Sequence, residues 1–157
     1  MSQSYKNNEI GIAIEYGECW GETILNQSEY VFALIMEDAF FQNLCNDETI
    51  GKPSINLMYY PNVRGINIRQ IVYNTEKEIR KFLYQFNMKK RIVQDKESYM
   101  LYSGQCNGEE MVFVQKIYYL DNKVYSLTAT CSAKLYDLVK EDINYVFSNS
   151  AILQQEV

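Results

Sequence analysis

The sequence contains no histidine in 157 residues. Without imidazole it cannot build a serine–histidine–aspartate triad or a cysteine–histidine pair, and it lacks the commonest transition-metal ligand. No glycine-rich phosphate loop is present either, because Gly17 and Gly21 flank the short stretch ECW and match neither a P-loop nor a dinucleotide-binding motif. We therefore expect no catalytic residue, no metal site and no cofactor.

Long hydrophobic runs are also missing. The longest, VFALIM and MVFV, are too short to span a bilayer. The opening residues, MSQSYKNNEIGIAIEYG, have no basic start followed by an apolar stretch, so they do not form a signal peptide. We expect a cytoplasmic protein without direct membrane insertion; a leader or lipid anchor removed before Met1 is the alternative.

Apolar and aromatic residues are abundant, at 47% and 14% of the sequence, and 14 residues are tyrosines. A chain of this length and composition can bury a real core, which indicates one folded domain covering residues 1–157. The net charge of -5 disfavours non-specific binding to nucleic acid or to anionic membranes.

The four cysteines form no CxxC pair. In a reducing compartment such residues are usually small, buried and apolar, and we expect this of all four. A disulfide between two of them is the alternative. The cysteines are Cys19, Cys45, Cys106 and Cys131.

Several segments in the first half have strand patterns. IGIAIEY alternates, with Ile10, Ile12, Ile14 and Tyr16 on one face. EYVFALIMED is apolar on both faces, as an interior strand would be. SINLMYYP is a further strand that Pro61 ends or places at an edge. Residues 39–53 suggest a short helix and then a loop, and residues 62–73 fit a strand or a helix.

Two main helices are predicted, over about residues 75–88 and 133–148. Thr75 and Glu78 form a capping-box pattern before the first, and Ser132 can cap the second. The first has an apolar stripe and is followed by basic residues that suit the negative end of a helix dipole. These residues are Ile79, Phe82, Leu83 and Phe86, then Lys89, Lys90 and Arg91. The second has its own apolar stripe of Leu135, Leu138, Val139, Ile143, Val146 and Phe147.

The stretch from Ser98 to Cys131 predicts a three-stranded antiparallel meander. Asn107-Gly108 favours a type I′ hairpin turn, and Asp121-Asn122 provides the second turn. The middle strand is apolar on both faces, whereas the last has one polar face of Ser126, Thr128 and Thr130. The predicted fold class is α+β, with an antiparallel sheet and two main helices.

Acidic residues supply the remaining candidates for chemistry. Glu15, Glu18 and Glu22 lie near Trp20 in the sequence, and Cys19 lies between them. A small carboxylate- or cysteine-dependent hydrolase at this position is an alternative function that requires these groups to converge in a cleft. Solvated turn residues are the simpler interpretation.

Tyrosine-rich strands favour a second kind of function. A tyrosine ring combines a large apolar area with a polar tip, which suits protein contacts as well as cores. A sheet with helices on one side leaves the other face to be covered by a second helix or another chain. Our candidate protein-binding residues are Trp20, Tyr59, Tyr60, Tyr118 and Leu120.

The order of motifs resembles a known family. An alternating strand runs into a Tyr-x-x-x-Trp turn at residues 16–20, and a mid-chain helix follows. A meander containing VYSLTAT and a helix ending in VFSNS come next. This combination, over about residues 9–150, resembles the PsbP-like family, which includes DcrB-type proteins and domains of unknown function. Gly17 stands where proline is common in the family.

The resemblance implies a non-catalytic role. Members of this fold serve as an extrinsic subunit of photosystem II, as a factor that binds the Ran GTPase, and as small, acidic, dimeric chaperones of type VI secretion effectors. An acidic chain without a leader fits the chaperones best. The expected function is an adaptor or chaperone, homodimeric, covering an apolar segment of a partner protein such as a secreted effector. A regulatory or immunity-type partner of one folded target is the rival.

Overall fold

A computed structural model describes residues 2–153, which contain ten strands and three helices. The ends of the predicted domain, residue 1 and residues 154–157, lie outside the described residues. The strands and helices, in chain order, are β1 (Ser2–Asn7), β2 (Ile12–Gly17), β3 (Trp20–Thr23), β4 (Tyr30–Met36), α1 (Asp38–Leu44), β5 (Ser54–Tyr60), α2 (Ile68–Phe82), β6 (Tyr84–Val93), β7 (Glu97–Cys106), β8 (Glu109–Leu120), β9 (Lys123–Ser132), α3 (Tyr136–Ser148) and β10 (Ser150–Ile152).

The strands form two antiparallel sheets. Seven strands make the large sheet, in the order β3-β4-β5-β9-β8-β7-β6, and β1, β2 and β10 make the small one with β2 in the middle. The α+β prediction is confirmed. The short helix predicted after residue 38 is α1. In the segment 62–73, which the sequence left open, residues 62–67 form a loop and residues 68–73 begin α2.

The predicted meander is confirmed as β7, β8 and β9. Asn107 and Gly108 have φ values of 53° and 81°, and Asp121 and Asn122 have 54° and 62°, so both turns have the left-handed backbone of type I′. The segment EYVFALIMED supplies the interior strand β4, as predicted. Pro61 ends β5 and does not mark an edge, since β5 pairs with both β4 and β9.

Helix α3 and the small sheet cover one face of the large sheet, which we call the α3 face. The main core lies between them and includes the alternating residues of β2 that the sequence predicts to share a face. Helix α2 packs on the opposite, α2 face, chiefly over β6 and β7. Fully buried core side chains include Ile12, Ile14, Trp20, Leu34, Ile55, Leu57, Met100, Ile117, Tyr125, Leu127 and Ile143.

The predicted bounds of the first main helix are wrong. Helix α2 begins seven residues earlier, where Asn67 accepts a hydrogen bond from the Gln70 N–H and the Gln70 side chain accepts one from the Asn67 N–H. Thr75 lies inside the helix and donates its hydroxyl proton to the Ile71 carbonyl oxygen. The pattern Asn-x-x-Gln is itself a capping box, so the sequence contains two such patterns, one at Asn67 and one at Thr75.

The chain leaves helical geometry at Leu83, and residues 84–93 form β6 along β7. The prediction that Lys89, Lys90 and Arg91 complement a helix dipole is therefore wrong, because they lie in a strand. Pairing with β7 supplies the backbone hydrogen bonds of this segment and overrides its helix-like apolar spacing.

The second main helix begins at Tyr136 instead of residue 133. Ser132 ends β9, and its hydroxyl accepts a hydrogen bond from the Lys134 N–H without capping the helix. Leu138, predicted to belong to the apolar stripe, is 58% exposed, whereas the other five residues of the stripe are buried.

Two further expectations about burial are corrected. The polar face of β9 is not solvated, because Ser126 is buried and Thr128 and Thr130 are half-buried. Burial is confirmed for Cys19 and Cys131, but Cys45 is half-buried and Cys106 is exposed. All four thiols are free.

Across residues 2–153, no helix combines the length and apolar character that crossing a bilayer requires.

Candidate binding groove

Helix α2 leaves part of its sheet face uncovered, and a groove of about 610 Å³ runs between the helix and the strands beside it. The strands contribute residues from β4, β5, β8 and β9, and the helix contributes the other wall. The lining residues are Tyr30, Met58, Tyr60, Val63, Ile66, Ile71, Asn74, Thr75, Glu78, Ile79, Phe82, Gln115, Ile117, Val124 and Ser126.

The helical wall has apolar side chains at helical spacing. Ile71, Ile79 and Phe82 come from one side of α2. The capping box at Asn67 sets the first residue of this helix. Phe82 is 78% exposed although it is a large apolar ring. An exposed ring beside an apolar groove is typical of a surface that receives a partner.

The groove floor is held by a buried hydrogen-bond chain. Tyr102 donates its hydroxyl proton to Gln115 Oε1 over 2.8 Å, and Gln115 Nε2 donates to Ser126 Oγ over 2.9 Å. Burial raises the pKa of Tyr102 above its usual value, so its hydroxyl stays protonated and remains a donor. Because these polar groups bond to one another, the floor does not demand a polar ligand.

The groove has little charge. Glu78 is the one charged residue in its lining, and this carboxylate lies 3.0 Å from Lys81 Nζ at the solvent-exposed surface of α2. At the far wall, Tyr60 is partly exposed, and burial and the Glu29 carboxylate raise its pKa. An occupant without charge therefore suits the groove best.

The structure brings one of the five predicted contact residues, Tyr60, into the groove. Trp20 begins β3 and is 1% exposed, so its ring belongs to the core and not to a turn surface. Tyr118 is buried and its hydroxyl group lies 3.1 Å from the Ser150 carbonyl oxygen. Tyr59 is half-buried against Tyr125, with ring centroids 5.1 Å apart, and Leu120 is half-buried at the end of β8.

Phe82, Ile79 and Met58 line the groove but were not predicted from the sequence to do so. Phe82 was predicted to lie in the apolar stripe of a helix over residues 75–88. The Asn-x-x-Gln pattern at Asn67 could have set the start of the helix, but its end at Phe82 coincides with the pairing of β6 with β7.

The residues of the hydrolase hypothesis converge only in part. Glu18, Cys19 and Trp20 line a cleft of about 580 Å³ with Glu141 and Asp142 of α3. Burial, and secondarily the Asp142 carboxylate, raises the pKa of Cys19 to about 12, so the thiol is protonated at neutral pH. The described lining of this cleft contains no cation that would offset the burial and lower the pKa of the thiol.

The other two carboxylates of that hypothesis lie elsewhere. Glu22 Oε2 accepts a hydrogen bond of 3.0 Å from the Tyr16 hydroxyl, and Glu15 is exposed on β2. In the described part of the chain, no three acidic or cysteine side chains are grouped closely enough to hold a metal ion.

No protein-family model matches the sequence, and no curated protein matches it. Solved structures of other proteins do match it. LpqN of Mycobacterium tuberculosis, described as involved in cell envelope biogenesis, matches with a TM-score of 0.70 and 13% identity over 98% of this chain and 91% of its own. A protein of unknown function from Pseudomonas aeruginosa, described as a putative regulator, matches with a TM-score of 0.61 and 12% identity over 99% of both chains.

The cyanobacterial PsbP protein of Synechocystis is also similar. It matches with a TM-score of 0.63 and 10% identity over 96% of this chain and 92% of its own. At such low identity these similarities establish the fold alone. The chain thus shares the fold of these three proteins, cyanobacterial PsbP among them.

Proposed function

We propose that this protein is a non-catalytic adaptor or chaperone whose groove beside α2 covers an apolar segment of a partner protein. The observation that carries the proposal is the groove itself, which is apolar, has one charged residue in its lining and has the exposed Phe82 ring at its border. Apolar surface of this kind gains free energy when a partner removes it from water.

The backbone of the groove selects the form of the partner segment. Strands β4, β5, β8 and β9 each pair with a strand on both sides, so their backbone groups are already hydrogen-bonded. An extended peptide lying on them would leave its own N–H and C=O groups without partners, whereas a helix satisfies its own. The occupant is therefore a helical segment with an apolar face.

A labelled model helix tests this proposal. The probe is a fluorescein-labelled peptide of Ala and Leu, with Leu on one helical face and Lys at both ends, and binding is followed by fluorescence anisotropy. Phe82→Ser is expected to weaken binding roughly tenfold or more, because it removes one large apolar contact.

Tyr73→Ser is the matched control. Tyr73 is 67% exposed and lies nine residues before Phe82 on α2, which places it on the opposite side of the helix. The control should bind the peptide as the unmodified protein does. Equal losses in the two variants, or no binding of the peptide to the unmodified protein, would contradict the proposal.

We further propose a homodimeric, cytoplasmic protein whose client is an apolar segment instead of a folded target. Exposed apolar side chains at the groove favour self-association in the absence of a client. Light scattering across a range of protein concentrations measures the dimer. A strict monomer would contradict this part of the proposal and leave the groove test unaffected.

A further inference from the structure

Charge is strongly segregated along the chain. Residues 64–96 contain nine basic and three acidic residues, a net charge of +6, whereas the other residues contain six basic and seventeen acidic ones, a net charge of -11. The net charge of the whole protein conceals this contrast. The basic segment consists mainly of α2 and β6, which pack together at one end of the large sheet.

Strand β6 is an edge strand. It pairs with β7 on one side, and no other strand of residues 2–153 pairs with its second side. Seven of its ten residues are exposed, including Tyr84, which is 69% exposed, and Ile92. An edge of this length has unpaired backbone donors and acceptors that can take up another strand.

The basic side chains of β6 differ in how far they are already neutralised. Arg91 forms a salt bridge with Glu76 of α2. Lys89 and Lys90 form none with the described residues, and Lys90 Nζ lies 5.8 Å from the centroid of the Tyr99 ring. Two positive charges on the exposed strand are thus free to meet carboxylates.

We propose that the free edge of β6 binds an extended, acidic segment of a partner protein, which adds to the large sheet as an eighth strand. Backbone hydrogen bonds along β6 hold the segment, and Lys89 and Lys90 select carboxylate side chains. Tyr84 and Ile92, both exposed, provide apolar contacts for uncharged side chains of the segment.

The same charges disfavour pairing of β6 with β6 of a second copy, because an antiparallel pair would bring Lys89, Lys90 and Arg91 of the two chains together. Nucleic acid is disfavoured by the net charge of -11 on the remaining residues. An acidic strand instead places opposite charges beside Lys89 and Lys90, and it covers only the basic edge.

This site is separate from the groove. Arg69, Tyr73 and Glu76 lie on the flank of α2 that faces Arg91 of β6, whereas Ile79 and Phe82 lie on the groove flank. The proposed strand site goes beyond the proposed function, and Phe82→Ser should leave binding of the acidic segment unchanged.

The test uses a fluorescein-labelled ten-residue peptide that alternates Glu with Val and Thr, which matches the length of β6. Lys89→Glu/Lys90→Glu is expected to weaken its binding about tenfold, since it replaces two opposite-charge pairs by like-charge pairs. Lys6→Glu/Lys134→Glu changes the net charge equally at two exposed positions elsewhere and should have little effect.

A second peptide separates strand addition from charge attraction. With the same side chains but N-methyl groups on all of its backbone nitrogens, it keeps its charge and loses its backbone donors. We expect it to bind about tenfold more weakly, as expected when several strand hydrogen bonds are removed. Amide shifts on addition of the first peptide should centre on residues 84–93.

Four results would overturn the proposal: no binding of the acidic peptide, equal binding of the N-methyl peptide, tighter binding of a duplex DNA oligonucleotide than of the peptide, or a salt-sensitive self-association that Lys89→Glu/Lys90→Glu abolishes. The first two use the unmodified protein, so they do not depend on how any variant folds.

Discussion

Tyrosine hydroxyls hold together parts of the protein that are distant in sequence. Tyr118 lies in hydrogen-bond contact with Ser150 of β10, Tyr119 donates to the Val63 carbonyl oxygen over 2.8 Å, and Tyr125 donates to the Ile10 carbonyl oxygen. A buried ring contributes apolar area while its hydroxyl satisfies a backbone group. Much of the tyrosine content therefore serves the fold, which the sequence alone could not distinguish from a contact surface.

The thiols give a test at the same scale. Burial raises the pKa of Cys19 and of Cys131 to about 12, whereas Cys106 is exposed. At about pH 8 we expect iodoacetamide to modify Cys106 in the folded protein and to leave Cys19 and Cys131 unmodified, because thiolates react and buried thiols do not form them. Peptide mass spectrometry measures the pattern.

Denaturant supplies the control, since all four cysteines should then react. Rapid modification of Cys19 in the folded protein would contradict the expectation and would restore the cysteine-dependent hydrolase as a hypothesis.

Helix α2 shows at the element scale how local patterns mislead. The strands were predictable because alternation and the Asn-Gly turn are local signals that the tertiary structure reinforces. The segment after Phe82 has apolar residues at helical spacing, yet it pairs with β7, and no local signal reveals that partner. The groove depends on this difference, so Phe82 and Ile79 could not be assigned to it from the sequence.

Substitution at the two alternative caps distinguishes the two helix bounds. Asn67→Ala should lower the free energy of unfolding by about 1 kcal/mol, because it removes the hydrogen bond to the Gln70 N–H. Thr75→Ala should change it by less than about 0.5 kcal/mol, because Thr75 lies inside the helix and alanine favours helix. Urea unfolding followed by circular dichroism measures both. A larger loss for Thr75→Ala than for Asn67→Ala would favour a helix that spans residues 75–88.

On the scale of the whole molecule, the buried phenols should limit stability at high pH. Burial raises the pKa of Tyr16 and of Tyr125 from 10.0 to about 12, with a further contribution from Glu22 at Tyr16. Between these values the folded state retains protons that the unfolded state has released. The contribution of these phenols to the free energy of unfolding is therefore complete below pH 10, and it is lost as the pH rises toward 12.

Thermal unfolding at increasing pH should show the midpoint falling steeply above pH 10, with the tyrosinate absorbance of the buried phenols appearing together with unfolding. Tyr102, whose pKa burial also raises, should titrate in the same transition. Smooth titration of all tyrosines near their usual pKa in a protein that stays folded would contradict this.

Strand β2 takes one neighbour from the start of the described chain and the other from its end, because it pairs with both β1 and β10. The small sheet packs over the core of the α3 face, and that core also needs α3, which comes just before β10. During synthesis on the ribosome the main core therefore stays incomplete until α3 and β10 have emerged. Until then the nascent chain exposes apolar surface to cellular chaperones.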